Sequence, residues 1–408
     1  MNKTAIYPAK ILLPKTDDYT SWACIACDQF TSEINYWKTL EKQVEGKLTT
    51  LNLVLPEIYL NDDVDGRIER VNQNIKRYLS EGVFDELPEG YVLTVRSTPY
   101  VERRIGLIGK VDLEKYEYGK KTNALVRATE GTVEERIPPR LKVRKNADVE
   151  FPHVMILFDD EKREINEKLF EKRDCFKKLY SFDLNMNGGS IEGYFVDKSE
   201  LDGKFEQLLD PDRLISKYGK LDDFMFAVGD GNHSLATAKT HWNNLKKTLT
   251  PEEIENHPAR YALAEFVNIY DEGIYFEPIH RFIKGVDVKA FIDGLKKINT
   301  GEIEIVEKEE QTSFGEKIAL ADGISNVDAY VKEFLEKNGG VVDYIHGDAN
   351  LKELILENEN SLGIKFKKLD KKELFTYVSK KGAFPRKTFS MGEGIEKRYY
   401  LEGRRITK

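Results

Sequence analysis

The sequence has little of several features that would place it quickly. It holds three cysteines, Cys24, Cys27 and Cys175, in 408 residues. That odd, small number fits a reducing compartment better than a disulfide scaffold. Apolar runs such as Val154 to Phe158 and Phe224 to Val228 fall far short of the roughly 20 residues a membrane span needs. No basic-then-apolar leader opens the chain, so a cytoplasmic location and no membrane partner are expected. Tandem repeats, low-complexity tracts and Pro/Ser-rich linkers are missing as well. So is any G-x-x-x-x-G-K-[ST] loop, which argues against a P-loop enzyme. An excess of positive charge is also lacking: 63 Lys+Arg against 71 Asp+Glu give a net charge of -8, which argues against dedicated nucleic-acid binding.

What is present is a globular composition, 40% hydrophobic, 11% aromatic and 33% charged. A chain of this length predicts two or three packed units of roughly 100 to 200 residues each. Changes of periodicity suggest a region 1–290 that carries the chemistry and a C-terminal α/β region 291–408, either separate or a lobe of the same domain. Helices are expected over Trp22 to Glu45, Val64 to Ser80, Glu161 to Leu179, Glu206 to Tyr218, Ser234 to Lys247 and Pro251 to Asn268. Strands are expected over Gly90 to Arg96, Arg104 to Val111, Leu141 to Arg144, Phe151 to Phe158, Asp223 to Gly229 and Gly273 to Ile283. After Gly285 helix and strand alternate. The class is mixed α+β.

The strongest local signal is the segment Phe226-Ala-Val-Gly-Asp-Gly-Asn-His-Ser-Leu-Ala-Thr-Ala-Lys239. A buried strand runs into a polar turn of Asp230, Gly231, Asn232, His233 and Ser234, and a helix starts at once. Helix N-termini present unpaired N–H groups and a partial positive charge, so such a turn suits phosphate. The bland alternative is a helix cap, with Asn232 or Ser234 satisfying first-turn amides and Gly231 at positive φ. A dinucleotide fingerprint does not fit, because Gly229-x-Gly231-x-x-Ser234 lacks the third glycine.

Arg136, Arg140, Lys142, Arg144 and Lys145 form a basic run in which, as a strand, Arg140, Lys142 and Arg144 share one face. Arg140 is the best phosphate candidate among them, since a fork-shaped donor suits phosphate and carboxylate. Cys24-Ile-Ala-Cys27 has the C-x-x-C spacing of redox centres, but its apolar neighbours favour buried thiols. Asp28 and Gln29 follow with no surface pattern and fit the far wall of a site. His153, His241 and His257 show no zinc-binding spacing.

The turn at Asp230 to Ser234, together with Ala262-Leu-Ala-Glu-Phe-Val-Asn-Ile-Tyr-Asp271 and Glu277-Pro-Ile-His-Arg281, resembles blocks of the uncharacterised bacterial family known as domain of unknown function ten-fifteen. Arg127-Ala-Thr-Glu-Gly-Thr132 and Arg140-Leu141 resemble further blocks, matching at Glu130, Thr132 and Arg140. Thr129, Asn232 and Ser234 depart from the family pattern, which has His, His and Arg there. The family's D-G-x-H turn is similar to the phosphate-binding turn of the partition-protein and sulfiredoxin-like fold, used by free-serine kinases for nucleotide phosphates.

The resemblance implies a sulfiredoxin-like strand-turn-helix core with additional α/β elements, and phosphoryl transfer from ATP or ADP, with Mg2+, to a small hydroxylated metabolite, plausibly L-serine. On that reading Glu130, Asp230 and His233 are catalytic, and Asp230 also holds the metal. Gly231, Asn232, Ser234 and Arg140 bind phosphate, while Thr132, His280 and Arg281 contact the substrate. The competing classes are a nucleotide- or metabolite-responsive binding protein without turnover, and a thiol-redox protein built on Cys24 and Cys27.

Overall fold

A computed structural model describes residues 4–60, 62–119, 121–131 and 137–408. The expected substrate residue Thr132 lies outside the described residues, as does Arg136. The chain divides into two compact units, 1–274 with 379–381 and 393–408, and 275–378 with 382–392. The boundary expected near residue 290 therefore falls at Ile274, because the strand Phe276–Lys284 pairs with Val341–His346, Ser361–Phe366 and Phe389–Met391 of the second unit.

Among the described residues the first unit is built on a 10-stranded mixed sheet. Its main path runs Lys177–Asp183, Ser190–Asp197, Gly90–Ser97, Arg104–Asp112, Tyr261–Asn268, Met155–Phe158, Phe226–Asp230, Val126–Ala128 and Tyr116–Glu117. Side chains alternate across this sheet and fill a core on each face. One core gathers Leu107, Ile156, Phe226, Val228 and Phe266 with Leu235, Ala238 and Trp242 of the helix Asn232–Leu245. The other gathers Val92, Ile108 and Leu263 with Trp22, Trp37, Val71 and Ile75. Full burial of a residue such as Leu235 contributes roughly 1.5–3 kcal/mol, which fixes the helix start against the sheet.

Four expected elements fold differently, the first being Trp22 to Glu45, where Cys24–Ile25 is a strand and the helix is confined to Ile34–Gln43. Within Pro251 to Asn268 only Pro251–Asn256 is helical, and Tyr261–Asn268 is a central strand. It lies between neighbours on both sides with both faces covered, so its apolar run has no period to read. Leu141 to Arg144 belongs to the helix Ile137–Lys145, whose Pro138 and Pro139 sit in the first turn, where missing N–H groups cost nothing. Glu161 to Leu179 is helical only over Asn166–Glu171, and Lys177–Asp183 forms the edge strand.

The second unit holds an antiparallel sheet in the order Gln311–Phe314, Ile303–Val306, Ser361–Phe366, Phe276–Lys284, Val341–His346. The helices Val288–Leu295 and Leu320–Asn338 close its core through Phe291, Leu295, Ile324, Val327 and Val331. The segment 393–408 returns to the first unit. Arg96 donates hydrogen bonds to the carbonyls of Ile395, Glu396 and Lys397, and Tyr399–Tyr400 pairs with Cys24–Ile25.

Candidate functional site

The strand Phe226–Asp230 ends at a single residue of left-handed backbone, Gly231 with φ 75°, and the helix Asn232–Leu245 begins at the next residue. A Cβ at Gly231 would stand 2.9 Å from the Val154 Cα, so glycine is required both by conformation and by space. The N-cap is Gly231, which has no side chain, so Asn232 and Ser234 stand inside the helix and not at the expected cap position. The Asn232 Oδ1 is itself buried and without a hydrogen-bond partner among the described residues.

Asp230 is held from two sides. Its Oδ1 accepts from the Gly231 N–H at 2.9 Å, and its Oδ2 lies 3.4 Å from the Lys397 Nζ. The neighbouring strand Val126–Ala128 runs parallel, with Val126 beside Phe226 and Ala128 beside Val228, and the Thr129 hydroxyl donates to the Val228 carbonyl. The paired register ends at Ala128, two residues before Glu130. The Asp230 carboxylate thus emerges at a strand end beside the start of a helix. His233 sits half-buried in the helix's first turn, where its carbonyl accepts from the Thr237 hydroxyl.

A second charged pair stands behind this turn. The His153 Nε2 lies 3.2 Å from the Asp28 Oδ2, and its Nδ1 lies 2.9 Å from the Tyr400 hydroxyl, which in turn donates to the Cys27 Sγ. Burial opposes charge on both members of the pair, yet each imposes its charge on the other. The imidazole pKa is raised by the Asp28 carboxylate and further by Asp230; the Asp28 carboxyl is held well below the usual carboxylate range by His153, with help from Gln29 and Lys397. Asp28, placed on the far wall of a site by the sequence, is therefore tied electrostatically to the turn.

Beside the helix start lies a pocket of about 150 Å³. Arg140, Arg144, His153, Ser234 and Tyr400 are on its polar side. In the helix Ile137–Lys145 the arginines at 140 and 144 fall on one face by the i, i+4 rule, while Lys142 points to solvent, its side chain 62% exposed. The shared face expected for all three in a strand is thus corrected to a face shared by the two arginines. Arg140 pairs with Glu57.

The remaining expectations are placed differently. Arg281 is fully buried in the second unit, where it pairs with Asp328 at 2.8 and 2.9 Å and donates to the carbonyls of Ile279 and Lys387. His280 lies 2.9 Å from Asp348 through Nε2, and its Nδ1 accepts from the Phe366 N–H. Both side chains serve the interior of that unit. Burial pushes the Cys24 and Cys27 thiols up to about 12, the opposite of the low pKa a reactive thiol requires. Among the described residues no three His, Cys, Asp or Glu side chains gather as a metal cage. Sequence reasoning missed Lys397 and His153. Lys397 sits in a Lys-Arg-Tyr-Tyr stretch that reads as surface, and His153 has no partner near it in sequence; only pairing of distant segments reveals either.

Comparison with protein families matches residues 6–378 to the family described as "Protein of unknown function (DUF1015)". The chain belongs to that family. No curated protein matches it. Among solved structures it is similar to a conserved hypothetical protein from Pyrococcus furiosus, at 11% identity over 73% of this chain and 94% of that one, with a TM-score of 0.37. It is also similar to a free serine kinase in complex with AMP, at 10% identity over 73% and 90% of the two chains, TM-score 0.39. SbnI with a C-terminal truncation, from Staphylococcus aureus, is similar at 10% identity over 74% and 87%, TM-score 0.37. Likenesses this distant assign no activity. No helix among the described residues is long and apolar enough to cross a membrane.

Proposed function

We propose that this DUF1015 protein is a phosphotransferase that holds nucleotide phosphate at Gly231 to Ser234 and passes a phosphoryl group to a small hydroxylated metabolite. One observation supports this most strongly: a strand that passes straight into a helix through Gly231, whose left-handed backbone lies tight against Val154, with the Asp230 carboxylate at the strand end. Backbone N–H groups at a helix start bind phosphate oxygens without further help. Lys397 adds a positive charge at the same place.

In the transfer the acceptor oxygen bonds to the terminal phosphorus as the bond to the bridging nucleotide oxygen breaks. On this reading Glu130 takes the hydroxyl proton and His233 donates to the developing charge. Magnesium is normally held by one or two carboxylates together with phosphate oxygens, and Asp230 with Glu130 provide that donor set; the ion would supply charge neutralisation. L-serine is the first acceptor to try, because the turn resembles that of free-serine kinases.

Calorimetric titration with ATP and ADP, followed by a turnover assay over hydroxylated metabolites, tests the proposal. Binding and turnover support it; no binding of either nucleotide refutes it. The Lys397–Asp230 ion pair favours a second reading, a nucleotide-responsive binding protein, since a carboxylate already matched by a lysine is less available to the chemistry. Binding without turnover would select that reading.

A further inference from the structure

The pocket beside the turn has a composition that the phosphate reading does not use. Its walls are largely aliphatic and aromatic: Leu53, Val54, Ile75, Val143, Phe151 and Ile406 face it. Its 150 Å³ matches, in order of magnitude, a cavity that accepts a benzene-sized body, on the order of six carbon atoms. A free serine side chain would leave these walls uncovered.

The polar side holds buried atoms without a hydrogen-bond partner among the described residues on two side chains, the Oε2 of Glu150 and two nitrogens of Arg144. The Arg144 Nη1 lies 2.6 Å from the Glu150 Oε2, but its Nε and Nη2 are buried and without a hydrogen-bond partner among the described residues. Those two nitrogens form the side-on fork of the guanidinium, the edge that matches a carboxylate through two parallel hydrogen bonds. The local charges leave that fork positive. Glu150 is shared between Arg144 and Arg404 and also accepts from the Leu263 N–H, so two cations meet a single anion. Arg404 spends its other donors on the carbonyls of Pro258 and Tyr261. The other charged groups on the wall, Arg140 with Glu57 and His153 with Asp28, are paired.

We propose that this pocket binds a small carboxylate with an aliphatic or aromatic body, the carboxylate on the Arg144 fork and the body against Val54, Ile75, Val143 and Ile406. Ser234 lines both this pocket and the first turn of the helix, so the bound molecule is presented to the phosphate turn. That this molecule is the phosphoryl acceptor, in a hydroxylated form, rests on the proposed function; that the pocket binds it does not.

The test titrates the full chain, without nucleotide, with hexanoate and benzoate and with the matching neutral amides, hexanamide and benzamide. The acids are expected to bind at millimolar concentration, and the amides about tenfold or more weaker, the scale of losing a charge-assisted hydrogen bond. Arg144→Gln should erase the difference between acid and amide. Val143→Phe should fill the pocket and remove acid binding while ADP binding persists. If Arg144→Gln does not fold, the acid–amide comparison and Val143→Phe still decide. Failure of both acids to bind, equal binding of acid and amide, or unchanged acid binding in Val143→Phe overturns the proposal. ADP titrated separately keeps the two ideas apart: acid binding without ADP binding sustains the pocket and sinks the phosphotransfer reading, and ADP binding without acid binding does the reverse.

Discussion

The turn at Asp230 to Ser234 with Arg144 beside it, and His280–Arg281 with Asp348 and Asp328 against them, each gather acid, imidazole and guanidinium, but the two regions use them in opposite ways. In the second unit the demands of these two side chains are met internally: Arg281 is matched by Asp328 and two carbonyls, and His280 by Asp348 and a backbone N–H. At the turn the Asn232 Oδ1 has no hydrogen-bond partner among the described residues, and the Arg144 fork nearby has none either. A buried polar group left unmatched costs about 1–3 kcal/mol. Closed networks of this kind build the fold, and groups left open beside a pocket mark where a ligand completes it.

The comparison breaks most visibly if Arg281 is removed. Arg281→Ala strips the partner from Asp328 inside the second unit and is expected to cost about 3 kcal/mol, seen as a lower melting temperature or denaturant midpoint. An equal loss of nucleotide affinity in the folded variant would contradict the division of roles. Asp230→Asn should act the other way, lowering turnover by about 10²-fold or more with little loss of stability, and His233→Ala should lower it by about 10²-fold while ADP still binds. Steady-state rates and melting curves on the same preparations check both.

The Asp28–His153 pair gives a pH signature. The His153 pKa is raised above its ordinary 6.5, so its contribution to stability is complete below that value and is lost as pH rises through the raised value. Asp28 is shifted the other way, so its contribution is present above its ordinary 3.8 and is lost as pH falls through the lowered value. Melting temperature against pH should therefore decline on both sides, and His153→Gln should flatten the alkaline side. The smallest effect belongs to Ser234→Ala. Ser234 lies inside the helix's first turn and caps nothing, so the substitution should change stability by less than about 0.5 kcal/mol in a denaturant titration.

The turn was legible in the sequence because its signals are local. A buried strand, a glycine and a helical period sit within a dozen or so residues, and the structure confirms Gly231 at positive φ. Tyr261–Asn268 was misread because a strand covered on both faces loses its alternation and looks like a buried helix. Leu141 to Arg144 was misread because alternating charge imitates a strand, whereas Pro138 and Pro139 fit a helix's first turn. Lys397 reaches Asp230 only because Arg96 clamps the carbonyls around it, an arrangement that depends on pairing across about three hundred residues. No local pattern reports such a contact, and the same holds for Asp28 and His153.

The central claim is that the helix start at Gly231 is a phosphate site, and calorimetric titration of the full chain with ADP measures it most directly, on the unmodified protein and on Gly231→Ala. A Cβ there meets the Val154 backbone at 2.9 Å and must adopt φ near 75°, so the turn is forced out of shape at a cost of about 2 kcal/mol. Saturable binding by the unmodified chain, weakened by at least about tenfold in a folded Gly231→Ala protein, is the predicted result. No binding by the unmodified chain, or undiminished binding by the variant, would contradict it.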